Sequence, residues 1–242
     1  MSKLPNQAHR PGRAWTVLLI AWIAGLFIAG PWDLPLSTRV ADLDGTAFTH
    51  FIQVWGTTPS GILQFAAVLL LLTPALRRRS EEAQIIAVIL LVMSILQPLV
   101  ITTAIKFAWG RLRFHQLGGD LALFTPFWQP NTAAGGVSFP SGHTATACSL
   151  SPVVVYLWRR GRGSAAAALA VVVAAWTLTV AWGRIAGGYH YLTDVFFSMG
   201  LSALLAPFVA AWGEAAWRRW FRKAEDRTGV PLPPKHPPRR SP

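Results

Sequence analysis

Apolar residues in this chain come in long unbroken runs, and short polar segments separate them. Such runs are not the one-sided stripe of a soluble helix. They read as helices that are apolar all round, which is the pattern of a membrane span. Six spans are predicted, at 14–30, 60–76, 83–107, 143–158, 164–185 and 191–212. The first has a basic flank, Arg10 and Arg13, but no clean small-residue cleavage site before Pro31, so a retained anchor is expected rather than a signal peptide. The apolar part of the fourth is short, so it should extend back toward the turn at Pro140. The predicted fold class is therefore an all-α, integral membrane six-helix bundle. It comprises a basic N-terminus (1–13), one six-span domain (14–220), and a basic, Pro-rich tail (221–242) expected to be disordered and able to touch anionic headgroups.

Composition agrees. Of 242 residues, 52% are hydrophobic and 13% charged, whereas a soluble domain carries about a quarter charged residues. The net charge of +12 would suggest nucleic acid in a soluble protein. Here the cations flank apolar runs, and no aromatic-basic interleaving accompanies them, so no nucleic-acid partner is expected. Cys148 is the sole cysteine, which excludes an internal disulfide.

The basic residues also orient the chain. Lys3, Arg10 and Arg13 precede span one; Arg77, Arg78 and Arg79 separate spans two and three; Arg159, Arg160 and Arg162 separate spans four and five; Arg218, Arg219, Arg222 and Lys223 follow span six. Six crossings place all these clusters on one face, predicted to be cytoplasmic together with both termini. The opposite face holds Asp33, Asp42 and Asp44, and only Arg39 among cations outside the motif regions. The loop 108–139 lies there too, and Phe124, Phe127 and Trp128 are expected to anchor it at headgroup depth or help admit substrate.

Three groups of polar residues suit phosphoryl transfer, which needs neutralised oxygens, an in-line nucleophile and a proton for the leaving oxygen. Lys106 and Arg113 stand seven residues apart, Pro140-Ser141-Gly142-His143 follows, and Arg184 precedes His190 and Asp194. Taken alone, Lys106 and Arg113 read as snorkelling flank residues and the PSGH segment as a capped turn. Together with Arg184 they make an anion site on the face otherwise poor in positive charge. An arginine fork holds two phosphate oxygens, and glycine lets backbone approach a ligand. His190 and Asp194 are four apart, expected on one helical face, where a carboxylate would fix the imidazole tautomer. His190 would need to be neutral and His143 protonated, which predicts a bell-shaped dependence of rate on pH. The span count brings all three groups to the outer face. No HExxH spacing, Walker loop or GxSxG elbow is present, and the nearby candidates Asp120, Asp194, His115, His143 and His190 do not form a two-metal pattern. No metal and no cofactor are expected.

The motifs KFAWGRLRF, PSGH and GRIAGGYHYLTD resemble those of the type 2 phosphatidic acid phosphatase family, which includes bacterial lipid phosphatases and is related to vanadium haloperoxidases. The family pattern is Lys-x6-Arg-Pro, Pro-Ser-Gly-His and Ser-Arg-x5-His-x3-Asp, and every spacing matches in order. Phe114 stands where the pattern has proline and Gly183 where it has serine. The resemblance implies that His190 is the nucleophile, forming a phosphohistidine, with Asp194 its orienting partner. His143 is then the general acid and later the base for water. Lys106, Arg113, Ser141, Gly142 and Arg184 would hold phosphate, without metal. Arg111 is read only as a headgroup contact. The expected protein is a multi-pass enzyme of a bacterial-type inner membrane with its site toward the periplasm or exterior. Its substrate would be a membrane lipid: lipid A 1-phosphate, undecaprenyl diphosphate, phosphatidylglycerophosphate or phosphatidic acid. The alternatives are phosphotransfer between lipids, vanadate-dependent oxidation in the same cradle, and a phosphate-lipid transporter without catalysis.

Overall fold

The computed structural model describes residues 12–77 and 80–228, with side chains to residue 220 except that of Arg77. Lys3, Arg10, Arg78 and Arg79 of the basic clusters lie outside that range, as does the tail from residue 229. Among the described residues the chain is all helix, turn and loop.

Helix α1 (Arg13–Ala29) passes through a single 3-10 turn, Gly30–Trp32, into α2 (Asp33–Arg39). Pro31 sits in the first turn of that 3-10 segment, where a missing N–H costs nothing. Helix α3 (Ala47–Trp55) starts at Thr46, whose hydroxyl accepts from the Thr49 N–H, and α4 (Thr58–Leu72) starts with Pro59 in its first turn. A short α5 (Pro74–Arg77) precedes α6 (Glu81–Ser94), which is capped by Ser80 and carries Glu81 and Glu82 in its first turn, complementing the helix dipole. Around Pro98 the helix widens into a π segment, Ile95–Ile101, then continues as α7 (Thr102–Trp109) until Gly110 stops it at φ 67°. Beyond a long loop come α8 (Gly142–Ala147), a 3-10 turn at Cys148–Leu150, α9 (Ser151–Arg159), α10 (Gly163–Ala186) and α11 (Leu192–Thr228).

Among the described residues five segments are long and apolar enough to cross a bilayer: Arg13–Arg39, Ala47–Leu72, Glu81–Leu117, Gly163–Ala186 and Leu192–Trp220. The predicted fourth span, 143–158, differs. It is two short helices with a break at Cys148–Leu150, and Thr144, Ala145, Ala147, Ser149, Val153 and Tyr156 are buried. Hydroxyl-bearing residues shorten its apolar run, and the bundle encloses it where lipid encloses the others. The connection between spans one and two, for which the apolar pattern predicted no element, is largely helical, because α2 and α3 occupy it. Two further expectations are corrected. Phe127 is buried against Phe139 and Phe27 rather than lying on the interface. The first eight residues of the predicted tail, 221–228, are a continuation of α11.

The surface is inverted relative to that of a soluble protein. Val17, Ile20, Ile28, Phe65, Leu72, Phe107 and Val171 are each more than half exposed, while Asp33, Gln97, Arg111, His190 and Asp194 are buried. This is the arrangement of a membrane-embedded protein. The largest core joins Ile85, Ile89 and Met93 of α6, Tyr156 and Leu157 of α9, and Val209 and Trp217 of α11. Close approach of α1 and α11 depends on Gly200, where a Cβ would stand 1.9 Å from the Trp22 ring. Gln97, on the π segment, donates to Ser198 O (2.8 Å) and accepts from Ser202 Oγ (2.6 Å), pinning α11 there.

The bundle has two distinct ends. At one, Arg162 pairs with Glu82, and Arg160 and Arg218 both pair with Glu214. At the other lie the end of α7, the starts of α8 and α11, and the end of α10, which carry the three polar groups.

Candidate active site

Each group is delivered by a local backbone feature. Lys106 sits in the last turn of α7, and its Nζ donates to Val137 O. Past Gly110 the chain runs extended beside residues 136–138, with Gly136 N donating to Gly110 O (3.1 Å) and Ser138 N to Arg111 O (2.9 Å). Gly136 permits that approach, since a Cβ there would stand 2.2 Å from Arg111 O. Arg113 leaves this segment toward the ring of Tyr189, its guanidinium carbon 5.7 Å from the centroid, and Arg184 at the end of α10 packs on the same ring at 4.1 Å. The Nε atoms of Arg113 and Arg184 are buried and find no partner among the described residues.

Ser141 is buried, and its hydroxyl is the N-cap of α8, accepting from Thr144 N (3.4 Å) and Thr144 Oγ1 (2.9 Å). Its backbone is held by α11: Ser141 N donates to Asp194 O (3.1 Å), and Ser198 Oγ donates to Ser141 O (2.9 Å). Gly142 faces Lys106, whose Cε a Cβ would approach at 4.0 Å. His143 is half-buried, and its imidazole is hydrogen-bonded to the backbone of Gln53. The helix starting here has only six residues, not the long span expected.

His190 and Asp194 do meet, though not on one helical face. His190 lies in the turn before α11, its N–H bonded to Arg184 O (3.1 Å), and Asp194 is in the first turn of α11. The carboxylate folds back: Oδ2 accepts from Tyr191 N (2.9 Å) and Ser138 Oγ (2.5 Å) and lies 3.5 Å from His190 Nδ1. That last distance is long for a hydrogen bond, and Nδ1 has no other partner among the described residues. Active-site hydrogen bonds commonly tighten only with substrate bound. Burial pushes His190 down from its ordinary 6.5 to about 3, against the opposing pull of Asp194, so the imidazole is neutral at pH 7.

The three groups share one electrostatic neighbourhood. Lys106 feels Arg113, Arg184 and Asp194, His143 feels all three cations, and His190 feels Lys106 and Arg184. Three like charges converge on two histidines, which is the requirement for holding a multiply charged anion beside a nucleophile and an acid. Among the described residues no three His, Cys, Asp or Glu side chains are grouped as metal ligands.

Three partners were missed in the sequence. Arg111 is not a headgroup contact: it is buried between Asp33 (2.8 Å) and Asp194 (2.6 Å). Gln53 on α3 accepts from Arg184 Nη1. In the sequence Asp33 lies beyond the first predicted span and Arg111 beyond the third, so that pair carried no usable signal. Gln53 carried no signal.

The pattern of the PAP2 superfamily matches residues 84–218. The chain belongs to the PAP2 superfamily. A comparison with curated proteins and one with solved structures each gave no match. Membership supports a phosphatase acting on phosphate-containing substrates. The matched stretch contains Lys106, Arg113, Ser141, Gly142, His143, Arg184, His190 and Asp194. Asp33 and Gln53 fall before it, so helices outside the PAP2 match also furnish the site.

Proposed function

We propose that this chain is a lipid phosphatase of an inner membrane that works through a phosphohistidine without metal. The observation that carries the reading is the convergence of Lys106, Arg113 and Arg184 on His190 and His143 at one end of an apolar bundle. The three cations, with Ser141 and Gly142, hold the phosphate. Neutral His190 attacks phosphorus through Nε2 while Asp194 holds Nδ1. The P–O bond to the lipid breaks, and the leaving oxygen takes a proton from His143. His143, now neutral, removes a proton from water, which attacks the phosphohistidine, releases inorganic phosphate and restores His190. The cationic cluster supplies the positive charge that a metal supplies in other phosphatases, and it would repel a divalent ion.

Placement supports a lipid substrate, since the site residues lie where apolar helices end. We assign the basic end, with Arg160, Arg162 and Arg218, to the cytoplasm by the positive-inside rule, and hence the site to the outer face. Lipid A 1-phosphate, undecaprenyl diphosphate, phosphatidylglycerophosphate and phosphatidic acid are the substrates to test. Purified protein in detergent with EDTA should release phosphate from one of them, and His190→Ala should abolish release. Release lost with EDTA would refute the metal-free mechanism. Release only when an acceptor lipid is added would assign phosphotransfer instead. Equal behaviour of parent and mutant would refute His190 as nucleophile.

A further inference from the structure

Beyond the residues of the three motifs lies a buried ionic network whose geometry determines how Asp194 is presented. The Arg111 guanidinium is fixed on every side. Its Nε donates to Thr125 O (2.9 Å), one terminal nitrogen to Asp194 Oδ1 (2.6 Å) and Thr193 Oγ1 (3.0 Å), and the other to Asp33 Oδ2 (2.8 Å). Its carbon stands 4.1 Å over the Tyr191 ring. Asp33, on α2, is equally engaged. Its Oδ1 accepts from Thr193 N (2.8 Å) and its Oδ2 from Thr193 Oγ1 (2.5 Å). The side chains of Asp33, Arg111 and Asp194 have no solvent exposure.

We propose that Asp33 and Arg111 are positioning residues that lock Asp194 so that its Oδ2 orients the tautomer of His190. The inference rests on the phosphohistidine reading above. A carboxylate accepting from Arg111 on Oδ1 and from Ser138 and Tyr191 on Oδ2 cannot rotate, so Oδ2 stays aimed at His190 Nδ1. Asp33 fixes the far edge of the guanidinium and the Thr193 backbone at the start of α11, and so sets the plane in which Arg111 meets Asp194. A buried ion network is a poor source of stability, because apolar replacements of similar shape are often as stable. A specific orienting role accounts for two carboxylates sharing one arginine next to the buried histidine. The extra negative charge also offsets the positive charge that His190 gains on attacking phosphorus.

The test uses the full chain in detergent, as parent, Asp33→Asn and Thr193→Val. The second variant deletes the hydroxyl that bridges Asp33 and Arg111 and leaves both ions. Three quantities are measured: the His190 tautomer by 15N NMR, orthovanadate binding by tryptophan fluorescence, and kcat and KM on the preferred lipid. Removing the direct carboxylate of an oriented histidine costs about 10⁴ in rate, and partners one step further out cost about 10- to 100-fold. Both variants should therefore lose about 10- to 100-fold in kcat, with KM and vanadate affinity within about threefold of the parent. The parent should show a single tautomer protonated at Nδ1, and the variants a mixture. An unchanged tautomer and kcat in either variant would overturn the proposal. So would a joint collapse of vanadate binding and thermal midpoint with kcat in both variants, which would make the network a fold element only. If the parent itself released no phosphate, the phosphatase reading would fail, while the tautomer comparison would still decide this one.

Discussion

Gly183 stands where the resembled pattern has serine, and the packing predicts that restoring serine is harmful. A Cβ on Gly183 would lie 2.7 Å from Ile52 Cγ1 and 2.8 Å from both Ile52 Cβ and Cγ2. Ile52 is fully buried on α3, and no rotamer moves its Cβ, so α3 must recede from α10. Reaching ordinary contact requires about 0.6 Å in a close-packed interior. Such overpacking costs about 1–3 kcal/mol, and each kcal/mol lowers the thermal midpoint of a chain this size by about 2–4 °C. The displacement also carries Gln53, the next residue, which accepts from Arg184 Nη1 and whose backbone holds His143. Since a 1 Å misplacement can cost about 100-fold, a loss of about tenfold in phosphate release is expected for Gly183→Ser. Ile52→Ala removes two of the three close atoms. The double variant should therefore be more stable than the sum of the single effects by about 1 kcal/mol. Thermal unfolding in detergent and lipid phosphate release read both effects. A Gly183→Ser protein with parental midpoint and rate would refute the packing argument.

Two further outcomes follow from the site. His190 is held down to about 3, so its acid limb in kcat/KM should fall well below pH 6.5, once the substrate phosphate's own ionisation near about pH 6 is corrected for. Between about pH 3 and 6.5 the unfolded chain binds a proton there that the folded chain does not, so stability rises with pH through that window and is lost as pH falls. A His190 15N titration centred at 6.5 would refute both statements. Gly110→Ala forces a side chain to φ 67° with its Cβ 2.3 Å from Asn131 O, and should cost more than about 1–2 kcal/mol. A parental thermal midpoint for that variant would show that the turn after α7 is not held as described.

Much of the site was legible because its chemistry is written in fixed spacings: Lys106 to Arg113, the PSGH turn, and Arg184 to His190 to Asp194. The long spans were legible because lipid imposes uninterrupted apolar runs. What escaped was set by contacts between distant segments. Arg111 looked like a surface cation because nothing local shows that Asp33, on the first apolar segment, reaches it. Helices α2 and α3 escaped because they have only 7 and 9 residues, too short for the long apolar run by which the spans were read. The i,i+4 spacing of His190 and Asp194 suggested a shared helix face, whereas Asp194 folds back to cap Tyr191 N and meets His190 in the preceding turn. The break at Cys148–Leu150 was hidden because a buried segment tolerates hydroxyl residues that a lipid-facing span does not.

The reach of Asp33 across the bundle sets a timetable for making the protein. Its helix leaves the ribosome before Arg111 does, and Arg111 leaves before Asp194 at the head of α11. During insertion Asp33 waits inside an apolar segment with its cation not yet made, and when Arg111 arrives the second carboxylate is still missing. Only α11 completes the network, because Thr193 and Asp194 arrive together. A chain cut short before that helix keeps Lys106, Arg113 and Arg184 but lacks both the Thr193 hydroxyl that bridges Asp33 and Arg111 and the carboxylate that faces His190. Completion of the site and docking of α11 are thus the same event, and a copy in which α11 has not yet docked is one in which His190 has no carboxylate beside it.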